Sequence, residues 1–170
     1  MKDLKPIDHQ ILDELMKDSH RSDRQLAKAL GVSQPTVTRR RASLEENYIE
    51  GYTIIPKFGK IGYELATLTF IKSKLKNLNG KEKERALKIM KDWYDQQSNV
   101  VLVVEGRGLG WDAVCVSLHQ NFEDHAMFIR AQDAELAEWI IESQTFTADL
   151  KGGITIKPFH FKSLATQKQE

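Results

Sequence analysis

Apolar residues recur with the period of an α-helix in three successive stretches of the first third of the chain. These stretches predict helices at about residues 6–17, 23–30 and 34–46. Together the three helices would enclose a small core formed by Ile7, Ile11, Leu12, Leu15, Met16, Leu26, Ala27, Leu30, Val32, Val37 and Leu44.

The ends of the second and third helices carry specific signals. Ser22 can cap the second helix, and Gln25 three residues later completes a capping box. Gly31 stands where a helix end favours a residue that tolerates positive φ. Ser33 can cap the third helix, and Pro35 is tolerated in its first turn. This spacing predicts a helix-turn-helix whose second helix suits the DNA major groove.

The pattern changes after the third helix. Residues 48–56 are rich in β-branched and aromatic types around Gly51, which predicts two short strands that form a wing. The two glycines that follow favour a linker at residues 57–63, where Lys57 and Lys60 could reach phosphate.

The rest of the chain alternates between strand and helix patterns in the order βαββαβ. This order predicts a ferredoxin-like, four-stranded sheet with two helices on one face, and an α+β fold class for the chain. Strands are expected at 65–73, 100–104, 113–118 and 140–148, and helices at 81–97 and 121–138. We expect 100–104 to be a buried central strand, Gly106, Gly108 and Gly110 to form a turn, Leu87 and Phe122 to face inward, and residues 154–164 to add an edge strand.

Composition narrows the possible functions. The 170 residues include 25 Lys and Arg against 24 Asp and Glu, so any nucleic-acid surface must be local. The single cysteine, Cys115, excludes a disulfide or a Cys-based zinc site within one chain. No apolar run approaches the length of a membrane span, and the N-terminus lacks the apolar core of a signal peptide, so we expect a cytoplasmic protein.

The third predicted helix supplies the candidate DNA contacts. With Val37 at the centre of the buried face, its neighbours in sequence point outward. We predict base readout by Gln34, Thr36, Thr38 and Arg39, and phosphate contacts by Ser22, Arg24, Ser33 and Arg40. The alternative is that the three consecutive arginines simply form a solvated helix face.

The first third of the chain resembles the Lrp/AsnC family of prokaryotic transcription regulators. The resemblance rests on Ile7-Asp8, Ile11-Leu12, Leu15, Asp18-Ser19, Leu26-Ala27, Leu30-Gly31-Val32-Ser33, Thr36-Val37, Arg39-Arg40, Leu44-Glu45, Ile49 and Gly51-Tyr52. It implies a winged helix-turn-helix (residues 1–56), a linker (57–63) and a RAM-type effector-binding and assembly domain with a C-terminal extension (64–170). It also implies a nucleoid-associated, double-stranded DNA-binding homodimer that can extend to an octamer, with an amino acid or related metabolite as effector.

Two departures from the family pattern affect the site predictions. Arg41 stands where the family usually has an aliphatic residue, so we expect its stem to pack while its charged head reaches water. The glycine-rich turn at 106–112 is longer than the family's usual turn. Gly108, Gly110, Trp111 and Asp112 could hold an effector there, and a plain strand connection is the alternative.

Two other functions are weighed against an effector-modulated regulator. The same helix-turn-helix could serve an architectural DNA-binding protein without an effector. An enzyme on this fold, similar to siroheme decarboxylases, would need a catalytic cluster, and the five histidines show no HExxH or paired spacing. We therefore predict no catalytic residue, no metal site and no cofactor.

Overall fold

The computed structural model describes residues 4–166. The chain divides into two compact units. The first unit combines the chain up to Ile55 with the chain from Lys157 onward, and the second unit is Pro56–Ile156. The C-terminal extension, which we expected to belong to the second domain, therefore groups with the first unit.

The three helices of the first unit confirm the helical spacing. They are α1 (Pro6–Lys17), α2 (Asp23–Leu30) and α3 (Gln34–Asn47). Their apolar faces meet in a core that contains Ile11, Leu15, Leu26, Ala27, Val37 and Leu44.

Two predictions of β-structure, the wing and the C-terminal edge strand, are wrong. Residues 48–57, all described, form no strand, and Ile54 and Ile55 remain exposed. Two strands within nine residues would both be short, and an isolated two-stranded hairpin is marginally stable at best. Residues 154–163 likewise form no strand, because Pro158 cannot donate a ladder hydrogen bond and interrupts the run. The segment instead ends in a 3-10 turn (Leu164–Thr166) that packs against α1 and buries Ala165.

The second unit has the expected βαββαβ order. Its strands are β1 (Leu65–Ser73), β2 (Val100–Gly108), β3 (Trp111–His119) and β4 (Ile140–Asp149), and its helices are α4 (Gly80–Asp95) and α5 (Phe122–Glu135). The sheet has the order β2-β3-β1-β4, and its three pairings are all antiparallel. Its core includes Ile71, Ala86, Met90, Trp93, Cys115, Phe128 and Leu136.

Strand β2 corrects our expectation of a buried central strand. It lies at one edge of the sheet, and its residues 101–108 are exposed. A run that is apolar on both faces is typical of a central strand, but the same pattern fits an edge that another chain covers. The strand also continues through Gly106 and Gly108, so the turn is confined to Leu109 and Gly110, both at positive φ.

Two residues expected to face inward are exposed. Phe122 opens α5 with 69% of its surface accessible, and Leu87 lies on the outer half of α4. Neither residue takes part in the core. Helical spacing alone does not fix the edge of a buried face, because positions at its margin satisfy the same period.

Candidate nucleic-acid interface

The turn between α2 and α3 has the predicted geometry. The Gln25 amide donates to the Ser22 hydroxyl over 3.3 Å, and the Ser22 amide donates to the Gln25 side-chain oxygen over 2.8 Å. This reciprocal pair is the predicted capping box. Gly31 ends α2 at φ +68°, in the left-handed conformation that glycine adopts without strain. The chain therefore reverses within three residues and starts α3 at Gln34.

Three of the predicted DNA-contact residues lie on the accessible surface of the helix-turn-helix and have side chains that are unpaired within the described structure. Gln34, Arg39 and Arg24 are exposed. Within residues 4–166, none of their side chains has a hydrogen-bond or ion-pair partner. Gln34 and Arg39 lie in the first two turns of α3, and Arg24 lies in the first turn of α2. Their donors are thus available to an external partner.

The hydroxyl groups beside them have partners within the protein. Ser33 occupies the N-cap position of α3, but its hydroxyl bonds the Thr36 hydroxyl over 2.8 Å and not a backbone amide. The Thr38 hydroxyl donates to Asp23 over 2.7 Å and so ties α3 to α2. The Thr38 methyl group is the part of that side chain left for an outside contact.

Arg40 is directed toward α1. One of its guanidinium nitrogens lies 3.4 Å from a carboxylate oxygen of Asp8, which is buried and also accepts the Lys5 amide over 2.9 Å. The Arg40 Nε is buried and has no hydrogen-bond partner among the described residues. About a quarter of the side chain is accessible, so only part of it could meet a phosphate.

Arg41 takes part in a hydrogen-bond network that the sequence pattern did not predict. Its guanidinium donates to Glu45 over 2.8 Å, to the Arg21 carbonyl over 3.0 Å and to Asp23 over 3.2 Å. Burial by itself would lower the Arg41 pKa, but the bonds to Glu45 and its neighbours raise it. The charged head is therefore paired and does not simply reach water. The spacing of four between Arg41 and Glu45 was the available signal.

The glycine turn of the second unit brings the four predicted effector residues together. Gly108 ends β2, Gly110 sits in the turn at φ +84°, and Trp111 and Asp112 begin β3. Asp112 is buried, accepts the Ser73 amide over 3.0 Å and forms an ion pair with Lys76. Lys76 and the Ser73 amide hold the Asp112 pKa below its usual range. The carboxylate thus already has two partners.

Comparison with known proteins identifies the family of this helix-turn-helix protein. The model of the AsnC-type helix-turn-helix domain matches residues 5–45. An HTH-type transcriptional regulator of Pyrococcus abyssi is 34% identical over 128 residues, which are 75% of this chain and 80% of that protein. The regulator LrpA of the same organism is 42% identical over 69 residues, 40% of this chain and 49% of LrpA.

A solved structure shows that the likeness extends to the fold. A transcriptional regulator from Neisseria meningitidis, solved in complex with L-Met, aligns with a TM-score of 0.75 at 12% identity and covers 93% of this chain and 94% of its own. At this sequence identity the alignment is evidence of a shared fold only.

The helix-turn-helix and these relatives define a transcriptional regulator of the HTH type. The chain belongs to the Lrp/AsnC family. Within the described part of the chain, no helix is long and apolar enough to cross a membrane, and no cluster of three or more potential metal ligands occurs.

Proposed function

We propose that the protein regulates transcription by sequence-specific binding of double-stranded DNA, with α3 in the major groove. The observation that carries this proposal is the pair of free side chains, Gln34 and Arg39, directly after the Gly31 turn. Gln can bond adenine at two points and Arg can bond guanine at two points, while the methyl groups of Thr36 and Thr38 can contact thymine. Ser22, Arg24, Ser33 and the accessible part of Arg40 would contact phosphates.

We further propose that the second unit forms a homodimer. The sheet face that carries the even-numbered residues of β1 is apolar and accessible, and it includes Leu68, Leu102, Val104 and Phe146. An accessible apolar sheet face beside an open edge strand is typical of a surface that a second copy covers. Two-fold symmetry would then present two α3 helices to two half-sites, and further assembly to an octamer could follow.

An amino acid or a related zwitterionic metabolite is the proposed effector. The likeness to the Neisseria regulator bound to L-Met supports this ligand class. The ion pair between Asp112 and Lys76 offers opposite charges at the glycine turn. A zwitterion could separate them, with its ammonium group on Asp112 and its carboxylate on Lys76, while Trp111 would contact its side chain. Gly108 and Gly110 would let the backbone approach the ligand.

Selection of genomic fragments by the purified protein tests the DNA proposal. We expect enrichment of a short palindrome at near-physiological salt by the wild type. Arg39→Ala should relax preference at one position of each half-site by a factor that corresponds to about 1–3 kcal/mol. Lys28→Ala is the matched control, since Lys28 is an exposed cation on α2 outside the proposed contact set. Binding without an enriched motif would contradict this proposal and indicate an architectural role.

Titration of the DNA complex with single L-amino acids tests the effector proposal. At least one should change DNA affinity, and Lys76→Gln should remove that response. The control Lys74→Gln, a neighbouring exposed lysine outside any ion pair of the described residues, should respond like the wild type. A full response in Lys76→Gln would overturn the site.

A further inference from the structure

Charge is strongly segregated within the second unit. Residues 72–91, here called the basic segment, carry eight Lys and Arg against two Glu, a net charge of +6. The other residues of Pro56–Ile156 carry five Lys and Arg against twelve Asp and Glu, a net charge of −7. The chain as a whole has a net charge of +1, so this local excess is hidden in the overall composition.

The cations of the basic segment are accessible and almost all unpaired. Seven of the eight are exposed, and Lys83 is half-buried. Among the described residues, only Lys76 forms an ion pair, with Asp112. In the described part of the first unit, Arg21, Arg40 and Arg41 pair with carboxylates, whereas the exposed Arg24 and Arg39 do not. The basic segment is therefore not neutralised within its own fold.

Helix α4 arranges three of these cations in a row. Lys81, Arg85 and Lys88 follow at spacings of four and three, so they share one face, opposite the buried Ala86 and Met90. With Lys91 the row is about 15 Å long, at a rise of about 1.5 Å per residue. Like charges at these spacings destabilise a helix. Glu84 on the same face offsets only part of this repulsion.

The residue types favour a nucleic acid over a protein partner. Seven of the eight cations are lysines. Protein–protein interfaces are depleted in lysine, whereas lysine is a common point-charge ligand of phosphate. Within the basic segment, Leu87 is the one exposed large apolar side chain, so these described residues offer no cluster of aromatic or aliphatic anchors for a protein interface.

We propose that the basic segment binds the phosphate backbone of the DNA that α3 reads. This inference rests on the proposed DNA-binding function and adds a second, sequence-independent contact surface to it. Duplex DNA carries one negative charge for about every 1.7 Å of its axis, so a row of this length meets several phosphates. The contact lengthens the protected stretch of DNA and increases the salt dependence of binding, and it leaves the recognised sequence unchanged.

The experiment compares two triple variants of the full-length protein. The test variant is Lys81→Gln, Arg85→Gln and Lys88→Gln. The matched control is Arg107→Gln, Arg130→Gln and Lys151→Gln, which removes the same charge from exposed positions of the same unit outside the basic segment. Gln has nearly the helix propensity of Lys and Arg, so α4 should remain folded, and circular dichroism checks this.

DNA affinity is measured at a series of salt concentrations. The DNA is the fragment enriched by the wild type, extended on both sides with mixed sequence. The slope of log Kobs against log salt should decrease in magnitude by about 0.9 for each lost contact, up to about 2.7 in the test variant. The control should keep the wild-type slope, and both variants should keep the enriched motif. The stretch protected from nuclease should shorten only in the test variant.

Three outcomes distinguish failure of this inference from failure of the proposed function. Equal slopes in both triple variants would overturn the inference and leave the proposed function intact. A smaller assembly of the test variant in sedimentation would show that the basic segment contacts a second copy, which would also overturn it. No DNA binding by the wild type would instead contradict the proposed function itself.

Discussion

The guanidinium carbon of Arg41 lies 5.4 Å from the centroid of the Tyr52 ring, and both side chains hydrogen-bond the same carboxylate, Glu45. The two hydrogen bonds are 2.8 Å long. They lower the Glu45 pKa, with the Tyr52 hydroxyl as the larger cause and Arg41 as the second. Through this carboxylate, the end of α3 holds the irregular segment that follows it, where no wing strands form to fix its path.

Arg41→Met should destabilise the first unit. The substitution restores the aliphatic character typical of this family position but removes one donor each from Asp23, Glu45 and the Arg21 carbonyl. Because water reaches the edge of the Arg41 network and screens its charges, we expect the unfolding free energy measured in urea to fall by about 1–2 kcal/mol. Arg39→Met, an exposed position without partners among the described residues, should change it by less than about 0.5 kcal/mol. Equal losses in both variants would contradict the role of the network.

Arg40→Ala should lower stability as well as DNA affinity. The substitution removes a donor from the buried carboxylate of Asp8, which then keeps only the Lys5 amide as a partner among the described residues. A carboxylate left unpaired in this position should cost about 1–3 kcal/mol. The double variant Asp8→Ala with Arg40→Ala, compared with each single variant, isolates the pair in a double-mutant cycle. A coupling energy near zero would show that Arg40 acts on DNA alone.

The helices of the first unit could be predicted because their signals are local. Ser22, Gln25 and Gly31 each satisfy a backbone requirement within three or four residues of themselves, and such requirements can be read from one sequence. The distant partners of Arg40 and Arg41 could not be read in this way. Asp8 and Asp23 lie 32 and 18 residues away, and tertiary packing decides whether a charge finds them.

The order of the second unit's strands also followed from the sequence, but the place of β2 did not. Its residues Val101 to Val104 are apolar on both faces, which predicts burial without saying what buries it. The structure places the strand at an edge of the sheet. The overall composition does not reveal the charge segregation of residues 72–91, because 25 Lys and Arg against 24 Asp and Glu make the whole chain nearly neutral.

The stability of the second unit should decrease as pH falls below about 6.5. Burial lowers the pKa of His119 and of His125, whose rings are 4.9 Å apart; the neighbouring His125 lowers the His119 pKa further, while Asp124 opposes this effect. In the unfolded chain both groups titrate near about 6.5. As pH drops through that value, the unfolded state takes up protons that the folded state does not, so folding becomes less favourable.

Urea unfolding of the second unit between pH 8 and pH 5 checks this dependence. His119→Gln together with His125→Gln should flatten the curve over this range, at the expense of stability at neutral pH. The exposed His9→Gln in the first unit is the control and should leave the curve unchanged. A wild-type curve that rises toward acid pH would contradict the lowered pKa values.

Ala165→Asp should loosen α1. Ala165 is 5% accessible in the turn that packs against this helix, so an aspartate there either buries an unpaired charge or displaces the turn. Either outcome should lower the stability of the first unit by about 1–3 kcal/mol. Lys162→Asp, at an exposed position of the same segment, introduces the same side chain without burial and serves as the control. Hydrogen exchange should show faster exchange of α1 amides in Ala165→Asp only, since the second unit does not contain this contact. Unchanged protection of α1 would show that the C-terminal turn adds nothing to the helix-turn-helix unit.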